Sequence, residues 1–172
     1  SKVRKEILNK HHIFCEVKPS NVDEDIVKES LLNELATPEI ISKNLAELKA
    51  NKVSLIQRDK MVLGADSVID LGGELISKPR SRKEALKNLK MLNNSKHYLI
   101  SSVCISKNGA MIWNFSDQSE LKMKNLSEDQ IKKYLCKIKT ETLLAYGVYQ
   151  VEADGLELFE SIKGDHDSIM GL

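Results

Sequence analysis

Charged residues occur in four short stretches where a fold alone gives no reason for them. They are Asp23-Glu24, Lys49 within Leu45–Ala50, Asp66 within Gly64–Ser67, and Lys78 before Pro79. Asp66 interrupts an apolar run, where a carboxylate is costly unless it is paired, hydrogen-bonded or bound to a metal. Lys78 precedes a proline, which restricts its backbone to extended geometry and so fixes the direction of its side chain. Taken singly, Asp23, Glu24, Lys49 and Lys78 are more readily explained as ordinary surface residues, and for Asp66 the structural and functional explanations are about equally good.

Together these stretches supply two or three carboxylates and two lysines near predicted strand ends. Carboxylates bind a hard divalent cation such as Mg²⁺, and lysines neutralise phosphate oxygens. Hydrolysis of a phosphoanhydride requires this combination. The sequence contains no GxxxxGK[ST], GxGxxG or GxSxG motif, so P-loop, dinucleotide-binding and α/β-hydrolase functions have no support.

The composition limits the classes of partner. The 172 residues carry 26 Lys and Arg against 25 Asp and Glu, a net charge of +1, which argues against nucleic acid or a membrane surface as the main partner. Aromatic residues make up 5%, too few for a base-stacking platform on single strands. No apolar run approaches the roughly 20 residues that span a bilayer. The apolar fraction of 41% predicts one folded domain over residues 1–172.

The cysteines and histidines form no metal-binding motif. Cys15, Cys104 and Cys136 are far apart and outside any CxxC, which is typical of reduced thiols and favours a cytoplasmic protein. The four histidines have no zinc-like spacing.

Helix and strand signals alternate along the chain. Predicted helices cover residues 4–10 and 26–35, and others begin after Thr37, Ser81 and Ser127. Predicted strands cover residues 12–17, 60–69, 75–76, 98–106, 110 to about 124, and 146–152, with a turn of helix near 156–162. The helix starts carry side chains that cap a first turn, and the strands are short apolar runs.

Two local patterns decide the fold class. Ile41, Leu45 and Leu48 recur at steps of four and three and predict an amphipathic helix after Thr37. Asn108-Gly109 predicts a hairpin turn because both residues tolerate positive φ. One hairpin among alternating helices and strands predicts an α/β fold with a mixed, twisted central sheet flanked by helices.

In this order the motifs resemble those of the Maf family of nucleoside triphosphate pyrophosphatases, also called septum-formation inhibitors. The matching elements are Ser1-x-x-Arg4, Asp23-Glu24, LAxxKA at Leu45–Ala50, Ala65-Asp66-Ser67, Lys78-Pro79, Leu89 and Leu92 with His97, the stretch 146–153, and Gly164-Asp165 with Gly171-Leu172. Each element alone is a weak signal, but their shared order over nearly the whole chain is a strong one. The resemblance implies a two-lobed single domain of the Maf and ITPase type.

The resemblance also implies a reaction. A nucleoside triphosphate would be cut at its α–β anhydride into a monophosphate and pyrophosphate, which removes non-standard or surplus nucleotides. Asp66, Lys49 and Lys78 would be catalytic, with Asp66 accepting the proton of the attacking water. Asp66 and Glu24 would hold the metal, Mg²⁺ in the first place and Mn²⁺ as the alternative. The implied substrate-binding residues are Ser1, Arg4, Glu24, Ser67, Gln150 and Glu152.

Departures from the family pattern bear on the substrate. Lys2 and Val3 stand where many members have Pro and Arg, so one guanidinium is lost and neighbouring lysines could replace it only as point charges. Ser67 keeps the hydroxyl of the usual Thr. Glu152 stands where pyrimidine-specific members have Gln. An acid there fits the branch that acts on 7-methylguanosine triphosphate, because a carboxylate accepts hydrogen bonds from guanine N1–H and N2–H.

Two other functions stay open from the sequence. A nucleotide-binding regulator of cell division that has lost catalysis would explain the missing arginine, although retention of Asp66, Glu24, Lys49 and Lys78 argues against it. A nucleic-acid-binding module is disfavoured by the net charge and the aromatic content.

The resemblance carries three further expectations. It implies a homodimer. We expect His97 to be a core residue rather than a ligand. By the family pattern, a strand would precede Ser1 and a Pro-led segment would follow Leu172.

Overall fold

The computed structural model describes residues 1–149, 151 and 154–172. In this part the strands are β1 (Val62–Leu71), β2 (Glu74–Ile76), β3 (Lys96–Lys107), β4 (Ala110–Met123) and β5 (Phe159–Lys163). The α-helices are α1 (Lys2–Lys10), α2 (Glu24–Asn33), α3 (Pro38–Ile56), α4 (Arg82–Leu92), α5 (Glu128–Lys137), α6 (Thr140–Tyr146) and α7 (His166–Ile169), and a short 3₁₀ helix covers Asp154–Leu158. The predicted α/β class is confirmed.

The five strands form one sheet in the order β2-β1-β3-β4-β5. Every pairing in it is antiparallel, so the expectation of a mixed sheet is wrong. The strands are antiparallel because of how they are connected. Tight hairpins join β1 to β2 and β3 to β4, and a hairpin can join only antiparallel strands. The helical segment after β4 then returns the chain so that β5 runs antiparallel to β4.

The predicted helix starts and the central hairpin are confirmed. Thr37, Ser81 and Ser127 cap α3, α4 and α5, since each side chain accepts a hydrogen bond from a backbone N–H of the first turn. Asn108 and Gly109 have φ values of 52° and 84°, as the turn between β3 and β4 requires. Within the described residues, no helix is both long and apolar enough to cross a bilayer.

The helix α3 packs on the sheet through small residues. Ala46 and Ala50 are fully buried, whereas Leu48, predicted on the buried stripe, is 41% exposed. Opposite them lies Gly64 of β1, where an added Cβ would stand 2.3 Å from the Ala46 carbonyl oxygen and 2.7 Å from the Ala50 nitrogen. The close backbone contact between α3 and β1 therefore needs glycine at this point of β1. Of the predicted stripe, Ile41 and Leu45 are fully buried.

We expect Gly64→Ala to push α3 away from β1. The extra methyl group has no room, and overpacking of this kind costs about 1–3 kcal/mol of unfolding free energy. Urea denaturation measures this loss. Unchanged stability would contradict the close packing described above.

Two predicted elements at the start and end of the chain are wrong. Residues 12–17 form no strand: His12 has a positive φ of 58° that turns the chain after α1, and the run is exposed and unpaired, although a strand needs a hydrogen-bonded neighbour. The stretch 146–152 is predicted as the last strand, but its described residues, 146–149 and 151, form none: α6 ends at Tyr146 and Gly147 follows with a φ of 101°. Residues 150 and 152 lie outside the described part of the chain. The last strand is β5 instead, at the place where a helical turn was predicted.

The larger apolar core lies between the sheet and helices α4, α5 and α6. Leu89, Leu92 and Ile131 are among its most deeply buried helix residues, with exposures of 1% or less. His97 is also fully buried there, and its Nε2 lies 3.0 Å from the Tyr149 hydroxyl. Burial lowers the pKa of His97 from 6.5 to about 4, against the opposing effect of the Ser95 backbone. His97 is therefore a core residue, as expected.

This buried histidine makes the fold sensitive to acid. Between pH 6.5 and about 4 the unfolded chain binds a proton that native His97 does not, so stability falls as the pH drops through this window. The loss reaches about 3 kcal/mol at its acid end. Urea denaturation of wild type and His97→Gln at pH 7 and pH 4.5 checks this: the variant should lose less stability on acidification. His12→Gln, which removes an exposed histidine, is the control, and equal acid sensitivity of all three proteins would contradict the prediction.

Candidate active site

Asp66 lies in the middle of β1 and is 5% exposed. Its backbone is held by pairing with Ser102 of β3 and by the Ser42 hydroxyl, which donates to the Asp66 carbonyl oxygen at 3.2 Å. One side-chain oxygen, Oδ1, accepts a hydrogen bond from Lys49 Nζ at 2.7 Å. The other, Oδ2, is buried without a hydrogen-bond partner among the described residues. Since an unpartnered buried oxygen is costly, this atom is a candidate ligand-binding atom.

Lys49 bridges two carboxylates. Its Nζ lies 2.7 Å from Asp66 Oδ1 and 2.7 Å from Glu24 Oε1, and its side chain is 15% exposed. The packing of α3 on Gly64 places this lysine over β1. The bridge therefore joins three elements, α2, α3 and β1, at one point.

Glu24 is the first residue of α2, which begins two residues earlier than the sequence predicted. The reason is Asp23, whose Oδ1 accepts a hydrogen bond from the Ile26 N–H at 3.2 Å and so caps the helix. The two adjacent acids thus have different roles: Asp23 caps α2, and Glu24 reaches Lys49. The side chain of Lys52 on α3 donates to the Asn21 carbonyl oxygen and ties the preceding loop in place.

Neighbouring lysines keep Glu24 ionised. Burial alone would raise its pKa, but the hydrogen bond and charge of Lys49, with the charges of Lys28 and Lys78, outweigh burial and lower the pKa below its usual value. A carboxylate that stays negative at neutral pH and below can hold a cation throughout the physiological range.

Lys78 follows β2 and lines one cavity together with Glu24, Lys49 and Asp66. Its position is fixed by buried Pro79 and by Asn88, whose side-chain amide donates to the Ser77 carbonyl oxygen at 3.0 Å. Although part of Lys78 is exposed, loss of water around it lowers its pKa, and the charges of Glu24 and Asp66 offset part of this effect.

Arg4 ties α1 to the rest of the site. Its Nε donates to the Gly171 carbonyl oxygen at 2.7 Å, Nη1 to the Ala65 carbonyl oxygen at 2.9 Å, and Nη2 to Ser67 Oγ at 3.3 Å. Burial lowers the pKa of Arg4, and the charges of Asp66 and Glu24 act against that shift. Three donors of this guanidinium are thus used, and among the described residues the other two have no hydrogen-bond partner and can serve a ligand.

The Ser67 hydroxyl is part of a chain with a fixed direction. Ser101 donates to the Ser168 carbonyl oxygen at 2.7 Å, and the Ser101 and Ser67 oxygens lie 3.0 Å apart. Because the Ser101 proton is used, Ser67 must donate to Ser101 while it accepts from Arg4. Ser67 therefore orients Arg4, and its own proton is not free for a ligand.

These side chains surround a cavity of about 280 Å³ with two different ends. One end is charged, with Arg4, Glu24, Lys28, Lys49, Asp66 and Lys78. The other is largely apolar, with Leu75, Leu99, Val148, Tyr149 and Val151. This division suits a ligand with a polyanionic part and a flat, less polar part.

The remaining predicted residues lie at or beyond the edge of this cavity. Ser1 lines it and occupies the N-cap position of α1, where its side chain makes no cap hydrogen bond. Gln150 and Glu152 lie outside the described residues, whereas Tyr149 and Val151 line the cavity.

Lys28 lines the cavity but was missed from the sequence. Its Nζ lies 3.5 Å from Glu24 Oε2, and its side chain is 15% exposed. The sequence does contain an indication of this position: Lys28 follows Glu24 by four residues, and this spacing places both side chains on one face of a helix. That spacing becomes informative only once α2 is known to begin at Glu24.

The donor set for a metal consists of two carboxylates, Asp66 and Glu24. Within residues 1–149, 151 and 154–172, no group of three or more His, Cys, Asp and Glu side chains is arranged to hold a metal ion. Mg²⁺ is commonly held by one or two carboxylates together with substrate phosphates and water. Unpartnered Asp66 Oδ2 fits that use.

We expect the stability losses caused by substituting Lys49 and Asp66 to be non-additive, because the two side chains contact each other. Lys49→Met should lower the unfolding free energy by about 2 kcal/mol, less than for a fully buried pair because Glu24 is 35% exposed. In Lys49→Met/Asp66→Asn the loss should be smaller than the sum of the single losses by about 1 kcal/mol. Urea denaturation of the four proteins measures this coupling.

The exposed pair Glu39–Lys43 on the same helix, with 2.6 Å between its charged atoms, is the control. Its own double-mutant cycle should give a coupling below about 0.5 kcal/mol. Additive losses for Lys49 and Asp66 would show that the bridge is not a stabilising contact.

Fold and site together define an α/β protein whose cavity pairs carboxylates with lysines beside an apolar wall. A family model described as "Maf-like protein" matches residues 1–172. The chain therefore belongs to the Maf-like family.

Curated relatives agree with this membership. A "Nucleoside triphosphate pyrophosphatase" of Pelagibacter ubique is 59% identical over 172 residues, which is 100% of this chain and 88% of the relative. One of the same name from Ruegeria pomeroyi is 37% identical, over 100% of this chain and 86% of the relative. A "7-methyl-GTP pyrophosphatase" of Rhizobium etli is 33% identical, with the same coverage of 100% and 86%.

Proposed function

We propose that this protein hydrolyses a nucleoside triphosphate to the monophosphate and pyrophosphate. The observation that carries the proposal is the bridge of Lys49 between Asp66 and Glu24, in a cavity that has further cations. In the described part of the chain, Asp66 Oδ2 has no hydrogen-bond partner. The relatives' names point to the same reaction.

In this reaction the oxygen of a water molecule bonds to the α-phosphorus, and the bond from that phosphorus to the α–β bridging oxygen breaks. The bridging oxygen leaves with the pyrophosphate. Asp66 Oδ2 is the proton acceptor for the water, because the Lys49 ammonium stabilises Oδ1 and makes it less basic. A carboxylate oxygen has two lone-pair sites, so Oδ2 can accept the proton at one and contact a cation at the other. A positioned carboxylate base of this kind contributes about 10²–10⁴ in rate.

The cations act on the charge that moves to the leaving group. Lys49, Lys78 and Arg4 reach one end of the cavity, and their attraction to the pyrophosphate oxygens grows as the anhydride bond breaks. Donors fixed before the reaction stabilise such charge without reorganisation. Ser67 supports this by orienting Arg4, and Ser1 can contact a phosphate at the cavity edge.

We infer that a divalent cation, Mg²⁺ or alternatively Mn²⁺, is bound by Asp66 and Glu24 together with phosphate oxygens. When bound, it supplies charge neutralisation and polarises the phosphoryl group. The lowered pKa of Glu24 keeps its carboxylate available for this role. Lys49 holds both carboxylates in place.

The base of the nucleotide would lie against the apolar end, beside Tyr149 and Val151. We propose 7-methylguanosine triphosphate as a substrate, because the carboxylate of Glu152 can accept hydrogen bonds from guanine N1–H and N2–H. Gln150, two residues before Glu152, is a second residue proposed to contact the base. Relatives named "7-methyl-GTP pyrophosphatase" from Rhizobium etli and Bartonella quintana, 33% and 36% identical, support this choice.

The biological setting is part of the same proposal. The enzyme would remove modified or surplus nucleotides in the cytoplasm, where its three unpaired cysteines stay reduced. A homodimer and a contribution to cell-division arrest are further proposals that the family resemblance suggests.

An assay of pyrophosphate release on a panel of canonical and 7-methylated triphosphates tests this function. We expect Mg²⁺-dependent release, lost on chelation, with the highest kcat/KM on the 7-methylated guanine nucleotide. Asp66→Asn should keep the fold and lose about 10²–10⁴ of the rate. Asp70→Asn on the same strand is the control and should retain activity, since among the described residues the Asp70 side chain accepts a hydrogen bond from the Gly73 N–H in the turn and does not line the cavity.

Other outcomes separate the alternatives. Tight nucleotide binding without product would favour a nucleotide-binding regulator. Full turnover by Asp66→Asn would contradict the role of Asp66, and faster turnover on pyrimidine nucleotides would contradict the choice of base.

A further inference from the structure

Lys28 has the burial of a site residue rather than of a surface lysine. It lies on α2, one turn after Glu24, and its side chain is 15% exposed, as little as that of Lys49. It lines the charged end of the cavity together with Lys78. Lysine is rarely this buried unless it is paired or functional.

The pairing of Lys28 is too weak to explain its burial. Its ion pair within the described residues joins Nζ to Glu24 Oε2 at 3.5 Å, whereas Lys49 reaches the other oxygen of Glu24 at 2.7 Å. An ammonium group has three N–H donors. The 3.5 Å contact with Glu24 is too long to be a strong hydrogen bond. The N–H donors of Lys28 can therefore bind oxygens of a ligand.

The charge balance of the cavity points the same way. Four cations, Arg4, Lys28, Lys49 and Lys78, face the two carboxylates Glu24 and Asp66. The excess of positive charge suits a polyphosphate that carries a divalent cation, because such a ligand is still negatively charged. Without Lys28 half of that excess disappears.

We propose that Lys28 binds a non-bridging phosphate oxygen of the polyphosphate chain. This inference rests on the proposed function and names a further substrate-binding residue for the same site. On binding, the ammonium keeps its charge attraction to Glu24 and directs its free donors to the phosphate.

The test compares Lys28→Met with Lys43→Met, which removes the lysine of an exposed pair with the same spacing from a glutamate. Calorimetry measures binding of inorganic tripolyphosphate and of a nucleotide analogue with a methylene group at the α–β bridge, both with Mg²⁺. Loss of a charge-assisted hydrogen bond should weaken binding about tenfold in Lys28→Met. Lys43→Met should bind like wild type. Lys28→Arg should recover most of the affinity.

Kinetics adds a readout that a merely structural role would not produce. Lys28→Met should raise KM about tenfold while kcat changes much less. Binding by Lys28→Met within twofold of wild type, or an equal loss in Lys43→Met, would overturn the proposal. If Lys28→Met fails to fold, Lys28→Gln replaces it under the same criteria.

The two proposals fail in different ways. Wild-type protein that binds tripolyphosphate but hydrolyses no nucleoside triphosphate would refute the proposed function and leave Lys28 supported if its variant binds weakly. Wild-type protein that hydrolyses the substrate, with Lys28→Met behaving identically, would refute only the role of Lys28.

Discussion

The contact of Lys49 with two carboxylates is the constraint on which the site depends. Asp66 and Glu24 come from a strand and a helix that are far apart in the sequence, and each lies 2.7 Å from the same ammonium group. Two carboxylates this close repel each other unless a cation lies between them. The close packing of α3 at Gly64 sets where that cation stands, so the core of the fold and the chemistry of the site are linked.

The rest of the site is arranged around this contact before any ligand binds. Arg4 is held by two backbone carbonyl oxygens and by Ser67, and Glu24 is fixed by the helix that Asp23 caps. Groups held in this way need little reorganisation when charge develops during a reaction. Unpartnered Asp66 Oδ2 is the exception, and an incomplete hydrogen-bond set is expected where a ligand or reacting atom has to bind.

The sequence identified which charged residues lie together better than it identified how they are arranged. Asp66 could be found because an acid in an apolar strand is costly. The sequence could not show that Asp23 caps α2 and that Glu24 lies in the site, since these roles depend on the residue at which α2 begins. The contact at Gly64 is a tertiary distance without a local signal. The predicted strand over residues 12–17 failed because an apolar run forms a strand only where a neighbour offers hydrogen bonds.

The most direct test of the account is the position at which water attacks. Hydrolysis of the preferred triphosphate in water labelled with heavy oxygen, followed by mass spectrometry of both products, identifies the phosphorus that receives the water oxygen. Attack at the α-phosphorus, with the base at Asp66, predicts one labelled oxygen in the monophosphate and none in the pyrophosphate. Label in the pyrophosphate, or products consisting of a diphosphate and free phosphate, would contradict it.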